Sequence, residues 1–161
     1  MNQFLLSQFR ALQRNQQCFE TSLVGDSIDT WRVLMKPVCF DTNSTLYKQL
    51  SQSSYDGVLL ELKFTNSCQS VTHSPPWCRI ISPKLSGSSI FKGSVCWEGF
   101  HSTSRSEEYN MENLLMEFAY VLIHDMRASF SGSENWSLES AREGEQYILS
   151  AHRDWKQSAF V

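Results

Sequence analysis

Long apolar runs and clusters of like charge are both missing from this chain of 161 residues. No segment approaches the roughly 18–20 consecutive apolar residues with which a helix spans a bilayer, so we expect no membrane partner. No basic run exceeds two residues and the formal net charge is −3, so the sequence does not indicate a nucleic-acid-binding surface either. Charge and hydropathy therefore argue against both of these partners.

A glycine-rich phosphate cradle of the Walker type is also absent, and we expect no cofactor. One pattern imitates a metal site, because Cys68, His73 and Cys78 have the spacing of three zinc-knuckle ligands. A structural zinc needs four ligands, and the fourth would fall at Thr65, whose side chain is not a zinc ligand. The sequence therefore predicts no bound metal.

The amino-terminal residues lack the basic segment of a secretory signal, and polar side chains interrupt their apolar stretch. The five cysteines are odd in number and irregularly spaced, which does not suit a disulfide framework. We therefore expect reduced thiols and a cytoplasmic and/or nuclear location.

The length suits one domain with a real core and is too short to argue for two, so residues 1–161 are predicted to form a single domain. Hydrophobic periodicity predicts a helix, four strands, a loop and two further helices, which indicates an α+β domain with helices packed on an antiparallel meander. The predicted helices cover residues 3–16, 111–122 and 138–155, and the strands cover residues 18–24, 31–35, 58–64 and 77–81. Asn110 is the expected N-cap of the second helix.

Residues 37–55 are polar and long for a loop, so we expect edge-strand content around residues 45–50. Large side chains on the apolar phase of their elements are expected to form the core. This predicted core consists of Trp31, Leu60, Leu62, Phe64, Ile80, Leu114, Leu115 and Phe118.

Cys96 lies on a loop that carries Gly93, between the strand entered at Pro75 and Pro76 and the helix over residues 111–122. A thiol placed there is both exposed and rigidly held, and a nucleophile needs both properties. A single cysteine is more often an inert, buried side chain, so the placement alone leaves both interpretations open.

Residues spread in order over nearly the whole chain match the pattern of one enzyme family. They are Leu23, Val24, Asp26, Ser27, Trp31, Arg32, Val33, Leu59, Leu60, Leu62, Phe64, Pro75, Pro76, Ile80, Ser82, Pro83, Gly93, Cys96, Glu98, Tyr109, Glu112, Met116, Ala141, Arg142, Tyr147 and His152. In these residues the chain resembles the ubiquitin-conjugating enzymes, and among them the divergent Q-type branch. The resemblance implies the fold of that family, with an N-terminal helix, a four-stranded antiparallel meander, an active-site loop and two C-terminal helices.

The resemblance also implies an activity, in which Cys96 is the nucleophile that accepts ubiquitin as a thioester and passes it to lysine. Sulfur suits both steps because it is nucleophilic near neutral pH and a good leaving group. The implied partners are ubiquitin, a ubiquitin-activating enzyme, which would be the one to use ATP, and a ubiquitin ligase. Glu98 could orient or deprotonate the incoming amine, although a solvated acidic side chain is the competing interpretation.

Several positions depart from the family pattern, and all lie around the site. The Phe-Pro step after the third strand is Phe64-Thr65, the family's tryptophan falls at Arg105, and Gly99-Phe100 replaces an aliphatic pair. The polar segment of residues 65–74 has few side chains that could anchor a partner's pocket, so we expect weak docking of activating enzyme and ligase there. These departures are expected to affect the activity more than the fold.

The asparagine that stabilises the oxyanion in common family members is missing, because the corresponding step is Ser82-Pro83-Lys84. The Q-type branch generally lacks it as well. Backbone N–H groups of Gly93 and Ser94, or a side chain that the sequence does not identify, would have to take its place.

Two other function classes compete with the enzyme. A catalytically inactive relative could bind ubiquitin or a ligase without turnover, which the departures favour. An unrelated α+β interaction domain, with Cys96 incidental, would share only the arrangement of helices and meander.

Overall fold

The computed structural model describes residues 1–101, 108–132 and 134–155. Its elements keep the predicted order of one helix, four strands and two closing helices, with shorter elements between them. In chain order they are α1 (Gln3–Arg14), β1 (Phe19–Val24), β2 (Ser27–Met35), a 3-10 turn (Pro37–Cys39), α2 (Thr45–Ser51), β3 (Val58–Lys63), β4 (Trp77–Ser82), β5 (Leu85–Ser86), β6 (Ile90–Phe91), β7 (Ser94–Val95), a second 3-10 turn (Glu98–Phe100), α3 (Met111–His124), β8 (Ser129–Phe130) and α4 (Leu138–Ala151).

The main sheet has the spatial order β1-β2-β3-β4-β7-β6, and every neighbouring pair is antiparallel. Its first four strands form the predicted meander. Strands β6 and β7 extend the sheet beyond the prediction, because strands of two residues are too short to show an alternating pattern. Strands β5 and β8 pair separately. The extension matters because β7 runs directly into Cys96.

Two asparagine caps fix where helices α1 and α3 begin. The side chain of Asn2 accepts a hydrogen bond from the amide of Leu5, and the side chains of Asn110 and Asn113 form a reciprocal capping box. Such caps satisfy amide groups that have no partner within the helix. The predicted cap at Asn110 is confirmed.

The predicted core is confirmed, since all eight of its side chains are buried to at least 99%. Trp31 connects helix to sheet: its ring meets Phe9 of α1 edge-on at 5.3 Å between centroids and Phe64 at 4.5 Å. Helix α1 therefore packs on an apolar face of the meander.

The prediction of strand character at residues 45–50 is wrong, because this segment forms α2. Leu46 and Leu50 are spaced by four residues, so they lie on the same face of a helix, and both are buried. Ser44 caps the helix by accepting from the amide of Tyr47. Helix α4 ends at Ala151, earlier than predicted, which leaves Trp155 outside it.

Within the described ranges, none of the helices has both the length and the apolar character that crossing a bilayer requires.

Candidate active site

Cys96 follows β7 directly and is half-buried. Its amide donates a 2.7 Å hydrogen bond to the carbonyl of Ser89, so the backbone at the thiol is held by the chain entering β6. The turn between β6 and β7 contains Gly93 at φ +98°, where a Cβ would lie 2.9 Å from the Cβ of Trp136. Glycine is needed there for both its conformation and its small size.

Helix α4 packs closely on this hairpin, which fixes the position of the helix relative to Cys96. The buried hydroxyl of Ser94 donates to the carbonyl of Ala141 at 2.5 Å, and the Ser140 hydroxyl donates to the carbonyl of Lys92 at 3.1 Å. At Gly144 a Cβ would lie 1.9 Å from the carbonyl oxygen of Phe91, so only glycine permits the approach. The end of α4 is thereby directed toward the thiol.

The residue at that end contacts the thiol. The Nε2 atom of His152 lies 3.4 Å from the Sγ of Cys96, although 56 positions separate the two in sequence. The His152 ring stacks on Trp155 at 3.9 Å between centroids and an angle of 9°, and the other stacking partner of Trp155 is His101 at 4.5 Å. The imidazole that meets Cys96 is therefore held by aromatic packing.

A buried acid and a buried imidazole lie next to this stack. Glu145 of α4 is 1% exposed and His101 is 3% exposed, and their Oε1 and Nδ1 atoms are 3.8 Å apart. Burial, aided by the nearby charge of His152, lowers the pKa of His101 to about 4 against an opposing hydrogen bond with the Val95 backbone. His101 is therefore neutral at physiological pH, and its approach to Glu145 is not an ion pair there.

The thiol itself is protected from ionisation. Burial raises the pKa of Cys96 above that of a free cysteine, and the negative charge of Glu145 raises it further. A protonated thiol is a poor nucleophile, so any nucleophilic chemistry at Cys96 would need a proton acceptor in contact with it. His152 meets that requirement, because its ring nitrogen lies at hydrogen-bonding distance from the sulfur.

Glu98, the second predicted site residue, begins the 3-10 turn that follows Cys96, and it is exposed. Its carboxylate makes no hydrogen bond or ion pair with another residue in the described part of the chain. Glu98 therefore lies two residues after Cys96 and faces the solvent.

The departure at Gly99-Phe100 has a packing explanation. A Cβ on Gly99 would lie 2.5 Å from ring atoms of Trp97, so the glycine makes room for that indole. Trp97 and Phe100 both pack on Phe118 of α3, with ring centroids 5.7 and 5.0 Å away. Aromatic packing thus replaces the aliphatic pair beneath the site. Arg105 lies outside the described residues.

The segment of residues 65–74 turns its few apolar side chains inward. Cys68 and Val71 are buried, and the Asn2 side chain donates to the carbonyls of Asn66 and Cys68 at 3.1 and 2.7 Å. The Cys68 thiol lies 3.6 and 3.4 Å from the carbonyls of residues 70 and 74, and no group of three or more potential metal ligands occurs among the described residues. The outer surface of this segment is polar, as its sequence predicts.

Gly93 and Ser94, whose amides are the expected oxyanion donors, are both buried in the hairpin that precedes Cys96, and this donor role stays a prediction. Lys84, at the position of the missing asparagine, places its ammonium 4.6 Å over the ring of Trp136. The His152 imidazole is the polar group found in contact with the thiol.

Sequence reasoning gave no role to three of the residues that form this site. His152 was recognised only as part of the family pattern, and Glu145 and Trp155 were not singled out. The sequence signal that could have identified this end of the chain is His152, the last residue of the family match.

Comparison with known proteins agrees with the resemblance. Ubiquitin-conjugating enzyme E2 Q1 of human and of mouse is 26% identical over 159 residues, which cover 92% of this chain and 36% of that protein. Human ubiquitin-conjugating enzyme E2 Q-like protein 1 is 28% identical over 138 residues, covering 83% of each chain. No family model matches the chain. The chain thus spans about a third of the length of E2 Q1 and most of the Q-like protein 1.

Among solved structures, the E2 domain of a Toxoplasma gondii ubiquitin-conjugating enzyme superposes with a TM-score of 0.52. The match covers 95% of this chain and 97% of that domain at 15% sequence identity. The fold is that of ubiquitin-conjugating enzymes, and in sequence the chain is similar to proteins of the Q-type branch.

Proposed function

We propose that the protein is a ubiquitin-conjugating transferase that carries ubiquitin as a thioester on Cys96 and passes it to lysine, usually with a ligase. The observation that supports this most is the contact between the Cys96 thiol and the His152 imidazole on a fold of this family. Ubiquitin, an activating enzyme and a ligase are the partners we propose. The family's place in protein modification and the free state of the five cysteines suit a cytoplasmic or nuclear location.

In the first step the Cys96 sulfur attacks the thioester carbonyl of ubiquitin held on the activating enzyme. His152 accepts the thiol proton as the new carbon–sulfur bond forms, and the sulfur of the activating enzyme leaves as a thiolate, which then takes that proton back from His152. This transfer is needed because burial and Glu145 raise the pKa of Cys96. The resulting imidazolium lies beside the reacting carbonyl and is a candidate donor to the oxyanion.

In the second step a lysine amine attacks the thioester and loses a proton, and the Cys96 thiolate leaves. In this proposal His152 again accepts that proton, and Glu98, on the exposed side of the loop, orients the ammonium group before it is deprotonated. Both roles belong to general acid–base catalysis, in which the acceptor lies within hydrogen-bonding reach of the proton.

The test is incubation with activating enzyme, ATP and ubiquitin, resolved on a non-reducing gel. We expect an adduct that reductant cleaves, a reductant-resistant ester with Cys96→Ser and no adduct with Cys96→Ala. Cys68→Ala is the matched control, since this thiol is buried and belongs to the polar segment outside the site. An adduct that persists unchanged in Cys96→Ala would move the nucleophile elsewhere.

The second candidate is a catalytically inactive relative that binds ubiquitin or a ligase without turnover. The polar surface of residues 65–74 favours it, because interface hot spots are large side chains and the apolar ones here are buried. A wild-type protein that forms no adduct with activating enzyme, yet binds ubiquitin in a titration, would establish this second function instead of the first.

A further inference from the structure

The indole of Trp155 stacks on both imidazole rings that lie near the Cys96 thiol. The His152 ring lies 3.9 Å from it between centroids and nearly parallel to it, and the His101 ring lies 4.5 Å away at an angle of 22°. The indole thus contacts the ring that meets the sulfur and also a second ring that does not.

The backbone after α4 brings Trp155 and His152 together, but it does not fix the imidazole. The His152 amide donates to the carbonyl of Ile148 at 3.0 Å, and the Trp155 amide donates to the carbonyl of His152 at 3.0 Å. These bonds close a turn at the end of the helix. A histidine ring still rotates about its own side-chain bonds, so its direction depends on the groups that pack against it.

His101 connects the indole to the chain on both sides of the thiol. Its amide donates to the carbonyl of Glu98 at 3.0 Å, and its imidazole hydrogen-bonds with the backbone of Val95, the residue before Cys96. The His101 side chain is also buried. Trp155 therefore packs on a ring that is fixed to the segment of the thiol, and on the ring that must be directed toward that thiol.

We propose that Trp155 is a positioning residue, whose indole holds the His152 imidazole against Cys96 and stabilises the imidazolium that forms when the thiol gives up its proton. A cation that faces an indole is attracted to the electrons of the ring, and tryptophan is the strongest of the aromatic side chains in this respect. A ring that is already in place also loses no freedom when it reacts. The inference rests on the proposed function, in which His152 is the proton acceptor.

Alkylation of the full chain with iodoacetamide tests this role without ubiquitin or activating enzyme. The Cys96 sulfur bonds to the methylene carbon, the thiol proton passes to His152, and iodide leaves. Mass spectrometry of the peptide that contains Cys96 gives the rate near neutral pH. We expect Trp155→Leu to lower this rate roughly three- to thirtyfold. Trp155→Phe, which also shortens the side chain but keeps an aromatic face, should recover most of the rate.

A double-mutant cycle separates positioning from a merely structural role. In a His152→Ala background, Trp155→Leu should cause no further loss, because the ring through which it acts is gone. The matched control is Tyr120→Leu, which removes an exposed ring that lies 4.3 Å from the imidazole of His124 on α3. Equal losses in both backgrounds, equal rates for the Phe and Leu variants, or a similar loss in the control would each overturn the proposal.

Two other thiols show whether each variant is folded. Cys18 and Cys39 flank β1 and β2, at the edge of the sheet away from β7, and both are half-buried. Alkylation rates that stay unchanged at these two thiols place a loss at Cys96 in the site and exclude unfolding as its cause.

The same variants distinguish the role of Trp155 from the transferase function. If the wild-type protein forms no ubiquitin adduct while Trp155→Leu slows alkylation through His152, the positioning role holds and the transferase function does not. If the wild-type protein forms the adduct and Trp155→Leu is charged and alkylated at the wild-type rates, the transferase function holds and the positioning role is overturned.

Discussion

The four-stranded meander and the surroundings of Cys96 are built from contacts of different range. Strands β1 to β4 pair with their neighbours in the chain, and alternating side chains such as Leu60 and Leu62 fill the core. Around Cys96, the decisive contact joins residues 56 positions apart. The pairing of strands that are consecutive in the chain therefore builds the meander. The surroundings of Cys96 depend instead on the packing of α4 on the β6–β7 hairpin.

The two regions also differ in what burial does. In the meander, burial removes apolar side chains from water and stabilises the fold. At the site, it surrounds titratable groups: it raises the pKa of Cys96 and lowers that of His101. Substitutions in the first region should therefore change the free energy of unfolding, and substitutions in the second should change rates and pH dependence.

The largest effect is expected for His152→Ala, which should slow thioester formation by roughly 10²–10⁴-fold because the thiol loses its proton acceptor. The difference in charging rate between His152→Ala and wild type should become smaller as pH rises, since a thiol with a raised pKa then ionises without a proton acceptor. Single-turnover charging from neutral to alkaline pH measures both effects. His124→Ala, an exposed histidine at the end of α3, is the control. A deficit that is the same at every pH would contradict the role of His152.

Leu62→Ala should lower the free energy of unfolding by about 2–5 kcal/mol, because it leaves a cavity in the middle of the meander. Denaturant unfolding measures this loss. Val38→Ala removes an apolar side chain that is 55% exposed and should change stability by less than about 0.5 kcal/mol. Equal losses of stability in the two variants would contradict the assignment of Leu62 to the core and of Val38 to the surface.

His101 should make stability depend on pH. Its pKa is about 4 in the folded protein against 6.5 for an ordinary histidine, so between these values the unfolded chain binds the proton first. Stability should therefore fall as pH drops through this window, by at most about 3 kcal/mol from this group. Glu145 and His152 also lie near this imidazole, so the slope is compared between wild type and His101→Gln. An unchanged slope in the variant would contradict a buried neutral His101.

The smallest effect is expected for Glu98→Gln. An exposed side chain that only orients the amine should lower the rate of discharge to lysine by no more than a few-fold and leave charging on Cys96 unchanged. Discharge of the preformed thioester to free lysine measures it, with Glu139→Gln at the exposed start of α4 as the control. A loss of roughly a hundredfold or more would make Glu98 the acid–base residue in place of His152.

Elements with a clear hydrophobic periodicity were predictable from the sequence, whereas the short elements were not. The helices at both ends of the chain and strands β1 to β4 follow from apolar spacing, and Asn110 was identifiable as a cap. The helix at Thr45–Ser51 was missed because only Leu46 and Leu50 carry its pattern. Strands β6 and β7 were missed because two residues show no alternation.

By itself, the sequence determined the α+β order, the buried residues and the position of Cys96 on a constrained loop, since these depend on local periodicity and on a match in chain order. Only the tertiary structure decided that His152 meets the thiol and that Glu145 and His101 are buried next to each other. The physical reason is that a side chain's pKa and reactivity depend on the groups within a few ångströms of it in space. Those groups come from distant parts of the chain, where residue spacing carries no information about contact.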